Sequence, residues 1–370
     1  MDKRTIFLIA FNIVLIVILI LSRRKKKLSN YILYFATFIF TLTAVEFIYR
    51  AFKKPGAYFT GQLKTGFTKY DSLLGYSIDK TGSLSAVKQT RRKIIFKKTY
   101  TIIQDTTNLL PEYNHRIGFR NPATSKEIVF LGCSVTFGEG LEDSSTLPYK
   151  TGAITQLNTV NLGCSGYGIH QVYRLFLGKY PDKPNNQRIF VYSFLHDHIL
   201  RANGMYQYNM LGPYYSIKDD SLIHAGPVSA NVKWPENKYI HYATALGTFS
   251  FLKDKFSKIV ARNRVKKLGE SDYDRCFFMI KEMAKQIQQS GGKLIIIDWD
   301  RNRKNSNMLN RQLFDRFEKQ LDSLSAMNVQ IISVSSVFEM EDRRFFIPGD
   351  GHPAASANEK LANALAATIK

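Results

Sequence analysis

Two long apolar runs open the chain. From Thr5 to Ser22 only Asn12 breaks a series of Ile, Leu, Val, Phe and Ala, and at a rise of 1.5 Å per residue a helix over this run reaches about 27 Å, enough to cross a bilayer. A second run from Leu28 to about Tyr49 carries Ile32, Leu33, Phe35, Phe38, Ile39, Phe40, Leu42 and Val45, with Glu46 only at its end. The pattern predicts a transmembrane helical hairpin over residues 1–50, with spans at about 5–22 and 28–49. Residues 51–125 then mix Gly, Thr and Lys with short β-like pieces, Ile94-Ile95-Phe96 and Tyr100-Thr101-Ile102-Ile103, and read as an accessory or linker region.

From Lys126 onward, compact apolar runs alternate with helical periodicity. Strands are predicted at Ile128–Leu131, Thr159–Leu162, Arg188–Phe194, Lys293–Ile297 and Val329–Val334. Helices are predicted at 146–157, 169–178, 249–262, 272–289, 308–324 and 354–369, and a Tyr/Asn/Gly/Pro-rich insertion at about 203–242. This alternation over 126–370 implies an α/β domain, a mainly parallel sheet covered on both faces, whose ligands bind beyond the C-terminal strand ends.

Charge refines the membrane reading. Arg23-Arg24-Lys25-Lys26-Lys27 fills the short turn between the apolar runs, where a cleaved signal peptide would need small residues, so an uncleaved anchor is expected. Cations in that turn favour a cytoplasmic turn and an extracytoplasmic C-terminal domain, although Arg50, Lys53 and Lys54 make the other flank basic too. The formal charge of +22 suits an anionic membrane surface. No nucleic-acid partner is expected, because the cations show no RNP, helix-turn-helix or zinc-finger spacing. Three cysteines are too few for a disulfide-stapled fold, and Cys133, Cys164 and Cys276 read as buried thiols.

Two segments carry candidate chemistry. Ser134 follows a predicted buried strand in a turn flanked by Gly132 and Gly138, the setting in which a hydroxyl is held firmly and a substrate can approach. Far along the chain, Gly349-Asp350-Gly351-His352-Pro353 puts a carboxylate two residues before an imidazole, ahead of the last predicted helix. That spacing lets the carboxylate orient the ring, so that its other nitrogen can take a hydroxyl proton. Asp298 and Asp300, after a strand, and the tyrosines 206, 208, 214 and 215 are weaker candidates, for which helix capping and ordinary packing are expected.

Taken together, Phe130-Leu131-Gly132-Cys133-Ser134-Val135-Thr136-Phe137-Gly138-Glu139-Gly140, Asn161-Leu162-Gly163-Cys164-Ser165-Gly166-Tyr167-Gly168 and Asp350-Gly351-His352-Pro353 resemble the first, second and last blocks of SGNH (GDSL-type) hydrolases. The resemblance implies a flavodoxin-like three-layer α/β/α sandwich and acyl-ester chemistry without metal or cofactor. It implies Ser134 as nucleophile, His352 as base and then acid, and Asp350 as the residue that orients it. The family's oxyanion hole would use the backbone N–H of Ser134, a glycine of the second block, Gly163 or Gly166 with Gly166 preferred, and a third-block side chain. In Phe194-Leu195-His196-Asp197 that third position is His196 where the family has asparagine; a neutral imidazole can still donate one N–H. The implied substrate is an acyl ester, acetyl among the candidates, of an envelope glycan or lipid. O-acyl transfer to a polysaccharide and glycan binding without catalysis are the alternatives, the last resting on His196.

Overall fold

The computed structural model describes residues 3–22, 26–52, 67–89, 94–104, 113–180, 188–232, 259, 262–301 and 310–369. The chain divides into two compact units, residues 1–56 with 234–264 and residues 57–233 with 265–370. Arg23, Arg24 and Lys25 of the cationic turn, the end of the insertion at 233–242, and most of the helix predicted at 249–262 lie outside the described residues.

In the first unit, α1 (Lys3–Ser22) and α2 (Lys26–Phe52) form where the apolar runs predict helices. One polar pair lies between them: Asn12 Nδ2 donates to Thr43 Oγ1 at 3.1 Å, and both residues are buried. Most of the helices' exposed positions are apolar, among them Ile13, Val14 and Ile20 on α1 and Phe35, Phe38 and Ile48 on α2, with Asn30, Thr37 and Thr41 the polar exceptions on α2. Such a surface is costly in water and suited to lipid. Asn30–Ile48, with mean hydropathy 1.8, is long and apolar enough to cross a membrane, whereas the apolar stretch of α1, Ile9–Ile18, is shorter.

The second unit is built on a ten-stranded sheet. Its strands are β1 (Thr68–Asp71), β2 (Gly75–Ile78), β3 (Gly82–Gln89), β4 (Ile94–Gln104), β5 (Asn114–Arg116), β6 (Glu127–Gly132), β7 (Asn158–Gly163), β8 (Arg188–Phe194), β11 (Lys293–Asp298) and β12 (Gln330–Ser333); β9 (Pro213–Lys218) and β10 (Ser221–Pro227) make a separate antiparallel hairpin in the insertion. The order is β1-β2-β5-β7-β6-β8-β11-β12, with β4 pairing β5 and β3 pairing β4. The five strands from β7 to β12 in this order are parallel. All five coincide with predicted strands; β6, β8 and β11 are mainly apolar runs buried along most of their length, whereas β7 interleaves Thr159 and Asn161 with Val160 and Leu162, and β12, at the end of the sheet order, is only half-buried. The stretch read as an accessory region supplies β1 to β5, and these extend the same sheet in antiparallel fashion.

Helices α3 (Ser134–Phe137), α4 (Leu147–Thr155), α5 (Ile169–Lys179), α6 (Asp197–Ala202), α7 (Val228–Asn231), α8 (Glu270–Gln289), α9 (Arg311–Ser323) and α10 (Ala355–Ile369) complete the unit. Side chains alternate across a strand, so Ile128, Phe130, Val191, Ile295 and Ile297 share one face, where Leu147 of α4 and Leu361 and Leu365 of α10 cover them. The opposite face carries Phe190 and Phe194. Phe190 meets Phe176 of α5 edge-on at 5.6 Å, and Phe194 stacks on Phe317 of α9 at 5.3 Å. Helices therefore lie on both faces of the parallel core, giving the three-layer α/β/α arrangement.

Candidate functional site

Ser134 is the first residue of α3, immediately after β6 and its following Cys133. The bend from strand to helix depends on small residues. A Cβ on Gly132, whose φ is +151°, would lie 2.2 Å from Thr136 Oγ1, and one on Gly163 would lie 2.3 Å from the backbone nitrogen of Phe137. The loop that follows is braced from β4 and β5. Arg116, fully buried, donates to the carbonyls of Phe137, Gly138 and Leu141 at 2.7 to 3.0 Å and to Asp143 Oδ1 at 2.7 Å, while its guanidinium sits 4.2 Å over the Tyr100 ring. Tyr100 Oη accepts from the Gly140 N–H at 2.9 Å.

The loop before α10 brings the distant pair to Ser134. His352 Nε2 is 2.8 Å from Ser134 Oγ, and His352 Nδ1 is 2.6 Å from Asp350 Oδ2. The Asp350 side chain is fully buried and its other oxygen is ion-paired with Lys88 of β3. Burial pushes the His352 imidazole below its usual range; Glu139 opposes that shift, and Lys88 and Arg201 add to it. A hydroxyl, a ring held in one orientation and a buried carboxylate in series can move a proton off the hydroxyl and return it to a leaving group.

Ser134 and His352 border a cavity of about 620 Å³ walled by Phe67, Tyr70, Tyr76, Phe137, Tyr208 and Leu211, with Glu139, Ser165, Gly166 and Arg201 as polar lining. Gly166 adopts φ +86°, and a Cβ there would meet Tyr76 Oη at 2.6 Å. Among the described residues, the backbone N–H groups of Ser134 and Gly166 donate to no partner. Gly163, the alternative glycine, instead donates its N–H to Asn161 Oδ1 at 3.1 Å.

His196 is held elsewhere. Its Nε2 is 2.8 Å from Tyr273 Oη of α8, its ring meets Phe314 edge-on at 4.8 Å, its N–H donates to Asp300 Oδ2 at 2.8 Å, and it is not among the residues that line the cavity. The expectation of an imidazole donor at this position thus meets a ring packed between two helices, whose aromatic side chains give it a partner and a stack. Asp298 accepts the N–H groups of Asp300 and Arg301, as a strand-end turn residue does; burial pushes its carboxyl up to about 6. The tyrosine cluster divides: Tyr208 lines the cavity, Tyr206 Oη donates to Asp197 at 2.5 Å, Tyr214 lies under the Arg275 guanidinium, and Tyr215 packs on Tyr173.

Lys88, Arg116, Glu139 and Arg201 were not marked by the sequence. The available signals were faint: a lone cation in the apolar helix after β8, four residues beyond Asp197, and a lone acid between Gly138 and Gly140.

No family model matches the chain, and no curated protein does. Among solved structures it is similar to a member of the lipolytic G-D-S-L family from Veillonella parvula, at 13% identity and TM-score 0.39, over 66% of this chain and 98% of that one. It is also similar to an α/β hydrolase from the metagenome of Lake Arreo, at 12% and 0.39 over 66% and 94%. A third is an acetyl xylan esterase from the rumen bacterium Butyrivibrio proteoclasticus, at 10% and 0.34 over 70% and 66%.

Proposed function

We propose that the chain is a membrane-anchored serine ester hydrolase of the SGNH type. The observation that carries this reading is the series Ser134 Oγ, His352, Asp350 at 2.8 and 2.6 Å, with Ser134 and His352 on the wall of a cavity large enough for an acyl ester. Ser134 Oγ attacks the ester carbonyl as its proton passes to His352 Nε2, and His352 returns that proton to the departing alcohol. Water then enters by the same route and releases the acid. Asp350 holds the ring and stabilises the imidazolium. The unpartnered N–H groups of Ser134 and Gly166 are suited to the oxyanion, each contributing about 3 kcal/mol to the transition state. Asn30–Ile48 supports anchoring, and the shorter α1 stretch completes a two-pass hairpin if lipid thins or α1 shares α2's cover. The cationic turn supports an extracytoplasmic domain acting on acylated envelope glycans or lipids.

The test uses the full chain in detergent micelles, with p-nitrophenyl acetate and a fluorophosphonate probe. Turnover and labelling that both vanish in Ser134→Ala are the expected result. Acyl transfer to an added oligosaccharide in preference to water would reassign the protein as a transferase. A folded chain that neither turns over nor labels would leave a binding protein.

A further inference from the structure

We propose that Arg201 is a catalytic residue: its Nε–H is the third donor to the oxyanion, in the role expected of His196. The inference rests on the Ser134 hydrolase reading. Arg201 stands in α6, directly beyond β8, and lines the same cavity as Ser134 and His352 although only 9% exposed. Two edges of its guanidinium are fixed. Nη1 donates to the Tyr167 carbonyl at 2.8 Å and Nη2 to Asp197 Oδ2 at 2.6 Å, while Asp197 is itself held by Tyr206 Oη. Nε, also buried, has no partner among the described residues. An orphaned buried donor is unfavourable unless a ligand completes it, and here the ligand position is the cavity.

Two further observations set the guanidinium near the reacting atoms. Cys133 Sγ lies 3.9 Å from Ser134 Oγ, and the same thiol interacts with the Arg201 guanidinium. The arginine's charge also reaches His352, where it favours the neutral ring. Burial opposes the charge on Arg201, but its polar neighbours, the Asp197 carboxylate among them, outweigh burial and hold its pKa above the usual arginine value. Meanwhile the His196 ring is committed to Tyr273.

The pairing with Asp197 suits catalysis. It holds the guanidinium in one orientation, and the bond from it strengthens as negative charge develops on the carbonyl oxygen. In the step, the Ser134 Oγ–carbon bond forms, the carbonyl π pair moves onto oxygen, and the serine proton goes to His352 Nε2. The new oxyanion accepts from the N–H of Ser134, the N–H of Gly166 and Nε–H of Arg201. Re-forming the carbonyl breaks the bond to the alcohol oxygen, which leaves with the His352 proton.

The experiment measures p-nitrophenyl acetate hydrolysis and the affinity of a trifluoromethyl ketone, which adds to a serine as a tetrahedral oxyanion, using the full chain in micelles. Arg201→Ala is expected to lose about 100-fold or more in kcat with KM within about threefold. It is also expected to regain part of this with millimolar methylguanidinium, which leaves the wild-type rate unchanged. Because Arg201 also ties Tyr167, Arg201→Lys serves where the alanine variant fails to fold: it keeps a charge for Asp197 but loses the Nε–H, so kcat and ketone affinity fall together, about tenfold or more. A folded Arg201→Lys or Arg201→Ala protein with kcat within twofold of wild type overturns the assignment. If wild type itself shows no Ser134-dependent turnover or labelling, the hydrolase reading fails first, and that outcome is separate.

Discussion

His352 sits among charges of both signs, and its titration reports on them. Burial is the largest influence and lowers its pKa; Glu139 is the largest opposing one. A general base works as the neutral ring, so the acid limb of kcat/KM is expected to fall below pH 6.5, the ordinary histidine value. Glu139→Gln removes the charge that favours the imidazolium, so the limb is expected to move to lower pH still; an unmoved or raised limb in a full pH profile would show that Glu139 does not act on the ring. Asp350→Asn retains the shape but presents the wrong hydrogen-bonding group to Nδ1, and kcat is expected to drop on the order of 10⁴-fold. The same change removes a charged partner of Lys88, so a thermal melt should accompany the rate measurement.

At the scale of elements, close approach between β6, β7 and α3 fixes where the hydroxyl stands. Gly163→Ala puts a methyl 2.3 Å from a backbone nitrogen that cannot rotate away, and overpacking of this kind is expected to cost about 1–3 kcal/mol, read as a lowered denaturation midpoint. Arg116 illustrates a longer reach. It lies on β5, in the region whose sequence suggested an accessory or linker stretch, yet it satisfies three carbonyls at the end of α3 and in the loop after it. Arg116→Ala is expected to destabilise the second unit by about 3 kcal/mol or more, since three acceptors and Asp143 lose a buried partner. Strands β6, β8 and β11 were legible because burial on both faces writes a nearly continuous apolar run, and β7 and β12 because short β-branched pieces, Thr159-Val160 and Ile331-Ile332, recur between helical segments. The membership of β1 to β5 in the same sheet was not, because edge pairings such as Ile78 with Asn114 or Arg116 with Asn161 are made one residue at a time and leave no periodic trace.

For the whole molecule, the apolar outer surface of α1 and α2 predicts that the full chain stays in the membrane pellet after alkaline carbonate washing; release into the supernatant would refute an integral anchor. Orientation can be read with thiol chemistry, because Cys133, Cys164 and Cys276 are all buried and burial pushes Cys164 and Cys276 up to about 12. Ser325→Cys adds one exposed thiol on the second unit. Labelling of intact cells by a membrane-impermeant maleimide is expected for an extracytoplasmic domain, and labelling only after lysis reverses the orientation.

Local chemistry is written in local residues, and the sequence alone determined what depends on it: two apolar helices, a parallel α/β core, a serine at a strand end and an Asp-x-His turn before the last helix. Which side chains share a cavity depends on contacts between segments far apart in the chain, and these only the tertiary structure decided. His352 meets Ser134 across 218 positions. His196 turns to Tyr273, 77 positions away, because helix packing offers its ring a stack and a hydrogen bond. Arg201 is left facing the cavity with one donor open, a consequence of Tyr167 and Asp197 holding its other edges.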